Sequence, residues 1–203
     1  MYNGKLRRKT LSVDMTAMCD VGFLILIFLM LFSKPKILTP YQIERPKANG
    51  VAVYDPSGDE VIITIVQGRV MYEIPTEEDR ALILAKIGAR HHINFTPEEL
   101  KKFKKISVIG VPIDNLKQFI DSYYNDETFA NQPGMHVNHT HNELVEWIKA
   151  TRAVSMENHG RDVPFIINAD KKTLYPIVET VMNILGSQKI FKMSLYYDVK
   201  HKI

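Results

Sequence analysis

The stretch from Val13 to Phe32, VDMTAMCDVGFLILIFLMLF, constrains this chain more than any other. It holds no Lys or Arg, and its only charged side chains are Asp14 and Asp20. Twenty residues of helix, at about 1.5 Å each, reach about 30 Å, the thickness of a bilayer's hydrocarbon core. Twelve uncharged residues follow Asp20. A carboxylate at that depth costs roughly 2.5–3.5 kcal/mol on insertion scales, so it is expected to face other helices and to mark a proton or ion site. The sequence therefore predicts a single transmembrane helix over 13–32, preceded by a cytoplasmic tail, 1–12.

A cleaved signal peptide is the competing reading. Lys5, Arg7, Arg8 and Lys9 would form its basic region. Two acids in the apolar segment and the lack of an A-x-A site in SKPKILTP, after Phe32, weigh against it. Lys34, Lys36, Arg45 and Lys47 follow the segment closely, so basic residues flank both ends and do not set its orientation. The usual arrangement is adopted, with the short tail inside and the large C-terminal region outside.

Thr16 precedes Asp20 by four residues, which places both on one helix face. Phe23, Leu24 and Ile27 continue that face, as expected for a helix packed in a bundle. The Thr16 hydroxyl suits either a hydrogen bond to the carboxylate or a next stop for a proton. An apolar setting favours the neutral form of a carboxyl group. Such a group can take a proton from one side and release it to the other, driven by about 2.3 kcal/mol per charge per 100 mV. Asp14, about 9 Å nearer the N-terminal end, reads as an interfacial helix cap. The bland alternative is a structural Asp20, hydrogen-bonded to a neighbouring helix.

Beyond the segment, 26 basic and 23 acidic residues nearly balance, which leaves no electrostatic footprint for nucleic acid. Cys19 is the sole cysteine and excludes an intrachain disulfide. No phosphate loop, GxGxxG or Ser-His-Asp pattern is present, so neither an enzyme nor a cofactor is expected. His136, His139 and His141 have a spacing that can bind zinc. In a loop without cysteine or a flanking acid they read as solvated, and no metal site is assigned. The run Lys101, Lys102, Lys104 and Lys105 reads as a solvated helix face.

The outer region reads as α+β. Residues 33–59, with four prolines, form a flexible tether. Residues 60–74 form a hairpin turning at Gln67-Gly68. A helix runs from Thr76 to about His91, and Thr96-Pro97-Glu98-Glu99 is a capping box opening a shorter one. Further helices are expected over 114–124 and 142–158. The chain closes with a strand over 163–167, an amphipathic helix ended by Gly186, and a strand over 190–197. Strand–helix–strand at that length implies a parallel crossover. The predicted domain, 60–203, is a small mixed sheet with helices packed on one face. Asp170, at a strand-to-helix turn, reads as a helix cap.

Two motifs resemble the ExbD/TolR family of single-span biopolymer transport proteins. The first is Asp14-Met15-Thr16-Ala17-Met18-Cys19-Asp20 with its apolar run, where Ala17 stands in place of the family's proline. The second is Pro164-Phe165-Ile166-Ile167-Asn168-Ala169-Asp170-Lys171, similar to a strand followed by Ala-Asp-Lys. The resemblance implies a bacterial inner-membrane protein with a periplasmic domain. It implies a homodimer inside a ring of ExbB-like subunits, with Asp20 as proton carrier and a TonB-like protein as outer partner. A TolR-like envelope-integrity role and a membrane-anchored periplasmic binding domain are the alternatives. Residues 91–160 exceed the family's compact domain and read as a helical insertion.

Overall fold

The computed structural model describes residues 15–32, 41, 43–48, 58–123, 126–137, 142–196 and 198–199. Asp14, the N-terminal tail, most of 33–57, His139 and His141 lie outside the described residues. The chain divides into two compact units, Met1–Leu38 and Thr39–Ile203.

In the first unit, α1 spans Met15–Phe32. No helix among the described residues is long and apolar enough to cross a membrane. The 18 residues of α1 rise about 27 Å. The transmembrane helix expected over 13–32 is thus represented by a helix from residue 15 onward, and the crossing itself remains an expectation.

The second unit is built on a mixed sheet. β2 (Val61–Val66) and β3 (Arg69–Glu73) form the expected hairpin, and Gln67 and Gly68 both have positive φ, 51° and 77°. That pair of left-handed residues is the two-residue turn matching the strands' twist. β4 (Val108–Ile109), β5 (Phe165–Ala169) and β6 (Met193–Leu195) complete the order β4-β3-β2-β5-β6. β5 runs parallel to both β2 and β6, as the crossovers require. A short pair, β1 (Lys47–Ala48) with β7 (Asp198–Val199), stands apart.

One face of this sheet carries the helices. Ile63, Ile65, Tyr72, Phe165 and Ile167 enter a single core with residues from α2 (Glu77–His91), α3 (Pro97–Phe103), α4 (Leu116–Ser122), α6 (Glu143–His159) and α7 (Tyr175–Ser187). α5 (Asp126–Ala130) adds Phe129. The Thr96 capping box forms as read: the Thr96 hydroxyl accepts from Glu99 N–H, and the Glu99 carboxylate accepts from Thr96 N–H at 2.6 Å. Buried Arg80 gives its three nitrogens to carbonyls of Ile74, Pro75 and Lys104, each at 2.8 Å, tying the hairpin's exit to the end of α3.

Several expectations need correcting. Residues 91–160, read as a helical insertion, pack into the main core rather than beside it: Phe103 and Trp147 are fully buried there, and β4 extends the sheet. β5 lies two residues later than read and is buried along its length. Gly186 is helical, and the left-handed turn falls at Lys189, φ 60°. α7 buries Val181, Ile184 and Leu185, while Met182 and the preceding Leu174 are exposed.

Candidate functional site

On α1, Thr16 and Asp20 lie one helical turn apart, on one face. No described residue pairs with Asp20, so the hydroxyl–carboxylate bond considered between them is not formed here. The apolar side chains of α1, from Met15 to Leu31, are exposed within the chain, most by more than half of their surface. A contiguous apolar surface of that size marks a partner or membrane site rather than a water-facing helix. The helix therefore carries one acidic side chain, Asp20, on a largely apolar surface.

A second arrangement was not foreseen. Tyr41, Glu44 and Arg45, read as part of a flexible tether, lie against the sheet face opposite the helices. Thr64 and Asn168 occupy the same register on β2 and β5 and are buried, 1% and 6% exposed. A buried polar group without a partner is costly, and the tether supplies both partners. The Tyr41 hydroxyl donates to Thr64 Oγ1 at 3.1 Å, and Arg45 Nε donates to Asn168 Oδ1 at 3.3 Å. The Arg45 guanidinium also stands 5.0 Å from the centre of the Tyr196 ring, a cation–π distance.

Asp170 locks this contact. Its Oδ1 accepts from Glu44 N–H at 2.8 Å, its Oδ2 from Lys172 N–H at 3.1 Å, and Lys171 N–H donates to the Glu44 carbonyl at 2.7 Å. The expectation that Asp170 caps a helix is corrected. The N-cap of α7 is Leu174, with no side-chain bond, and Asp170 instead closes a turn and grips the tether. Burial pushes the Tyr41 phenol up to about 12, against the opposing pull of its bond to Thr64, and Glu73 adds to the rise. Burial likewise raises the Glu73 carboxyl, with Arg80 opposing. The signal in the sequence was Thr64 within VIITIV and Asn168 within FIINA, each a polar residue breaking an apolar strand.

The remaining candidates do not assemble into a site. No group of three metal-ligating side chains occurs among the described residues. His136 is exposed, its ring 3.9 Å from Glu143. Lys102 faces Asp121 at 3.5 Å, and Lys101, Lys104 and Lys105 are exposed.

No curated protein and no solved structure matches the chain. The family model described as Biopolymer transport protein ExbD/TolR matches residues 7–199, a span that includes α1 with Asp20, residues 91–160 and the Asp170 turn. With nearly its whole length so matched, the chain belongs to the ExbD/TolR family of biopolymer transport proteins.

Proposed function

We propose that this protein is the proton-carrying subunit of an inner-membrane motor of the ExbB–ExbD kind. Residues 13–32 cross the membrane with the N-terminus in the cytoplasm and residues 60–203 in the periplasm. Asp20 takes up and releases the proton, Thr16 lines its path, and Asp14 sits at the interface. Two copies of the chain stand within a ring of ExbB/TolQ-type subunits, in contact with lipid. Their movement passes through the tether to a TonB-like protein that serves outer-membrane transport.

The observation that carries this reading is Asp20 itself, a carboxylate with no partner among the described residues on a helix whose apolar side chains are largely exposed. Such a group needs partners to exist at membrane depth. A ring of helices around it would supply both the partners and the apolar cover.

The test is energy-dependent uptake of an outer-membrane substrate, vitamin B12 or an iron chelate, in cells carrying Asp20→Asn. Assembly of the complex is checked by pull-down. Uptake lost with the complex intact supports the motor. Normal uptake with a weakened outer membrane would move the role to the Tol type. If both stay normal, Asp20 is structural and the chain is a passive anchor.

A further inference from the structure

A cavity of about 280 Å³ lies between α4 and the segment that follows α5, in the part of the domain that the sequence marked as extra. Its volume is near the lower bound of about 300 Å³ for small-ligand sites. None of the described residues lining it carries an ionisable group, although 24% of the chain is charged. Four carboxamides line it instead: Asn115, Gln118, Asn131 and Gln132. We propose that this cavity binds an uncharged, hydroxyl-rich ligand, a neutral saccharide.

The amides are arranged for a ligand rather than for the fold. Asn115 occupies the N-cap position of α4 yet makes no capping bond, although Asn is among the best caps. The side-chain amides of Asn115, Gln118 and Asn131 have no partner among the described residues, and all three are exposed at the rim. Gln132 is different: 1% exposed, it is fixed at the base. Its Oε1 accepts from Gly110 N–H at 2.5 Å, its Nε2 donates to the Phe129 carbonyl at 3.3 Å, and its own carbonyl accepts from Arg69 at 3.1 Å. The wall therefore has a rigid amide beneath and three uncommitted ones above, the support that a specific site requires.

The chemistry of the lining selects the ligand class. A carboxamide offers an acceptor oxygen and two donor hydrogens, and a sugar hydroxyl both donates and accepts, so each can pair with the other in either sense. Ser122 and Thr128 add hydroxyls of the same dual character. Val111 and Phe119, nearly buried, give an apolar floor for the C–H face of a sugar ring. An ionised ligand would shed hydration here without gaining a counter-charge.

The test is saturation-transfer difference NMR on the full chain, in a detergent without a sugar headgroup. The probes are glucose, maltotriose and a neutral tripeptide. Maltotriose should receive saturation, and Gln118→Ala with Asn131→Ala should weaken its binding about tenfold, with the thermal midpoint unchanged. Maltotriose binding more tightly than glucose identifies a polymeric sugar as the source, and equal binding identifies a free one. Asn183→Ala, on α7 outside the cavity, should change nothing. Saturation of the peptide alone, of no probe, or of maltotriose equally in the double variant overturns the proposal.

Discussion

Removing the Asp170 carboxylate should release Tyr41, Glu44 and Arg45 from the sheet while the domain stays folded. Asp170→Ala deletes the bond from Glu44 N–H at 2.8 Å and the bond from Lys172 N–H at 3.1 Å, which orients the turn. Charge-assisted bonds are worth about 1.5–3 kcal/mol when buried. This carboxylate is partly solvated, so the pair contributes about 1–2 kcal/mol to the contact. That is a shift of roughly 5–30-fold in the docking equilibrium. The reporter is the Lys171 amide, which donates across the contact to the Glu44 carbonyl at 2.7 Å and whose acceptor the substitution leaves in place. Its native-state hydrogen exchange should quicken by that factor, while Ile63 and Ile167, inside the sheet, keep their protection. Unchanged exchange at Lys171 would show that Tyr41 and Arg45 hold the tether alone. Quickened exchange along β2 and β5 would show that Asp170 supports the sheet, and either result refutes the reasoning.

Three further outcomes follow from the geometry. The Tyr41 phenol is pushed from 10.0 up to about 12 when docked. The raised value means that the docked state holds the neutral phenol. Its contribution is therefore complete below pH 10 and lost as pH rises through about 12. Alkaline titration of Lys171 exchange should show this release, and Tyr41→Phe should abolish the titration. The Tyr72 hydroxyl, fully buried, donates to Thr151 Oγ1 at 2.9 Å, which itself donates to the Trp147 carbonyl at 2.8 Å. Tyr72→Phe should cost about 1 kcal/mol and Thr151→Val about 1–3, because the latter strands the phenol. The double variant should cost about 1 kcal/mol less than the sum, read from thermal midpoints, whereas strict additivity would deny the bond across sheet and α6. Gly134 has φ 93°, and a Cβ there would lie 2.8 Å from Arg69 Cβ and 3.0 Å from its Cα. Gly134→Ala should therefore lower stability by about 1–3 kcal/mol, and an unchanged midpoint would contradict this conformation.

What the sequence disclosed was what local chemistry controls. The Gln67-Gly68 turn, the Thr96 capping box and the start of α2 depend on residues within a few positions of one another. The helix 142–158 likewise appeared one residue on, as Glu143–His159. The tether contact was hidden because its partners are remote: Tyr41 and Thr64 are 23 residues apart, Glu44 and Asp170 126. Asp170 was misread for the same reason. An Asp before a helix is a good cap by local rules, and only the arrival of Glu44 shows what its carboxylate holds. Residues 91–160 read as an addition because their apolar faces reveal helices but not destinations. Phe103 and Trp147, 6.3 Å apart and stacked, mark the centre of the core instead. Leu174 is apolar but sits at the N-cap of α7, where the chain is still extended, and so it misses the inward face.

Under the proposed function, the docked tether changes what a proton-driven shift at Asp20 would transmit. If 33–60 were free, the chain from Phe32 to Val61 could extend to about 100 Å. A slack coil of that length takes up small displacements entropically before it transmits force. With Tyr41, Glu44 and Arg45 held on the sheet, only residues 33 to 40 separate α1 from the docked stretch, and eight residues reach at most about 30 Å. A rotation or shift of α1 by a few ångströms would then reach the outer domain with little slack. In the undocked form the same movement would be absorbed. The contacts of Tyr41, Glu44 and Arg45 would thus set how tightly the membrane step is coupled to the domain. They would leave the proposed proton step at Asp20 untouched, so on that reading Asp170→Ala should weaken energised uptake without abolishing assembly, while Asp20→Asn should abolish uptake whether or not the tether is docked.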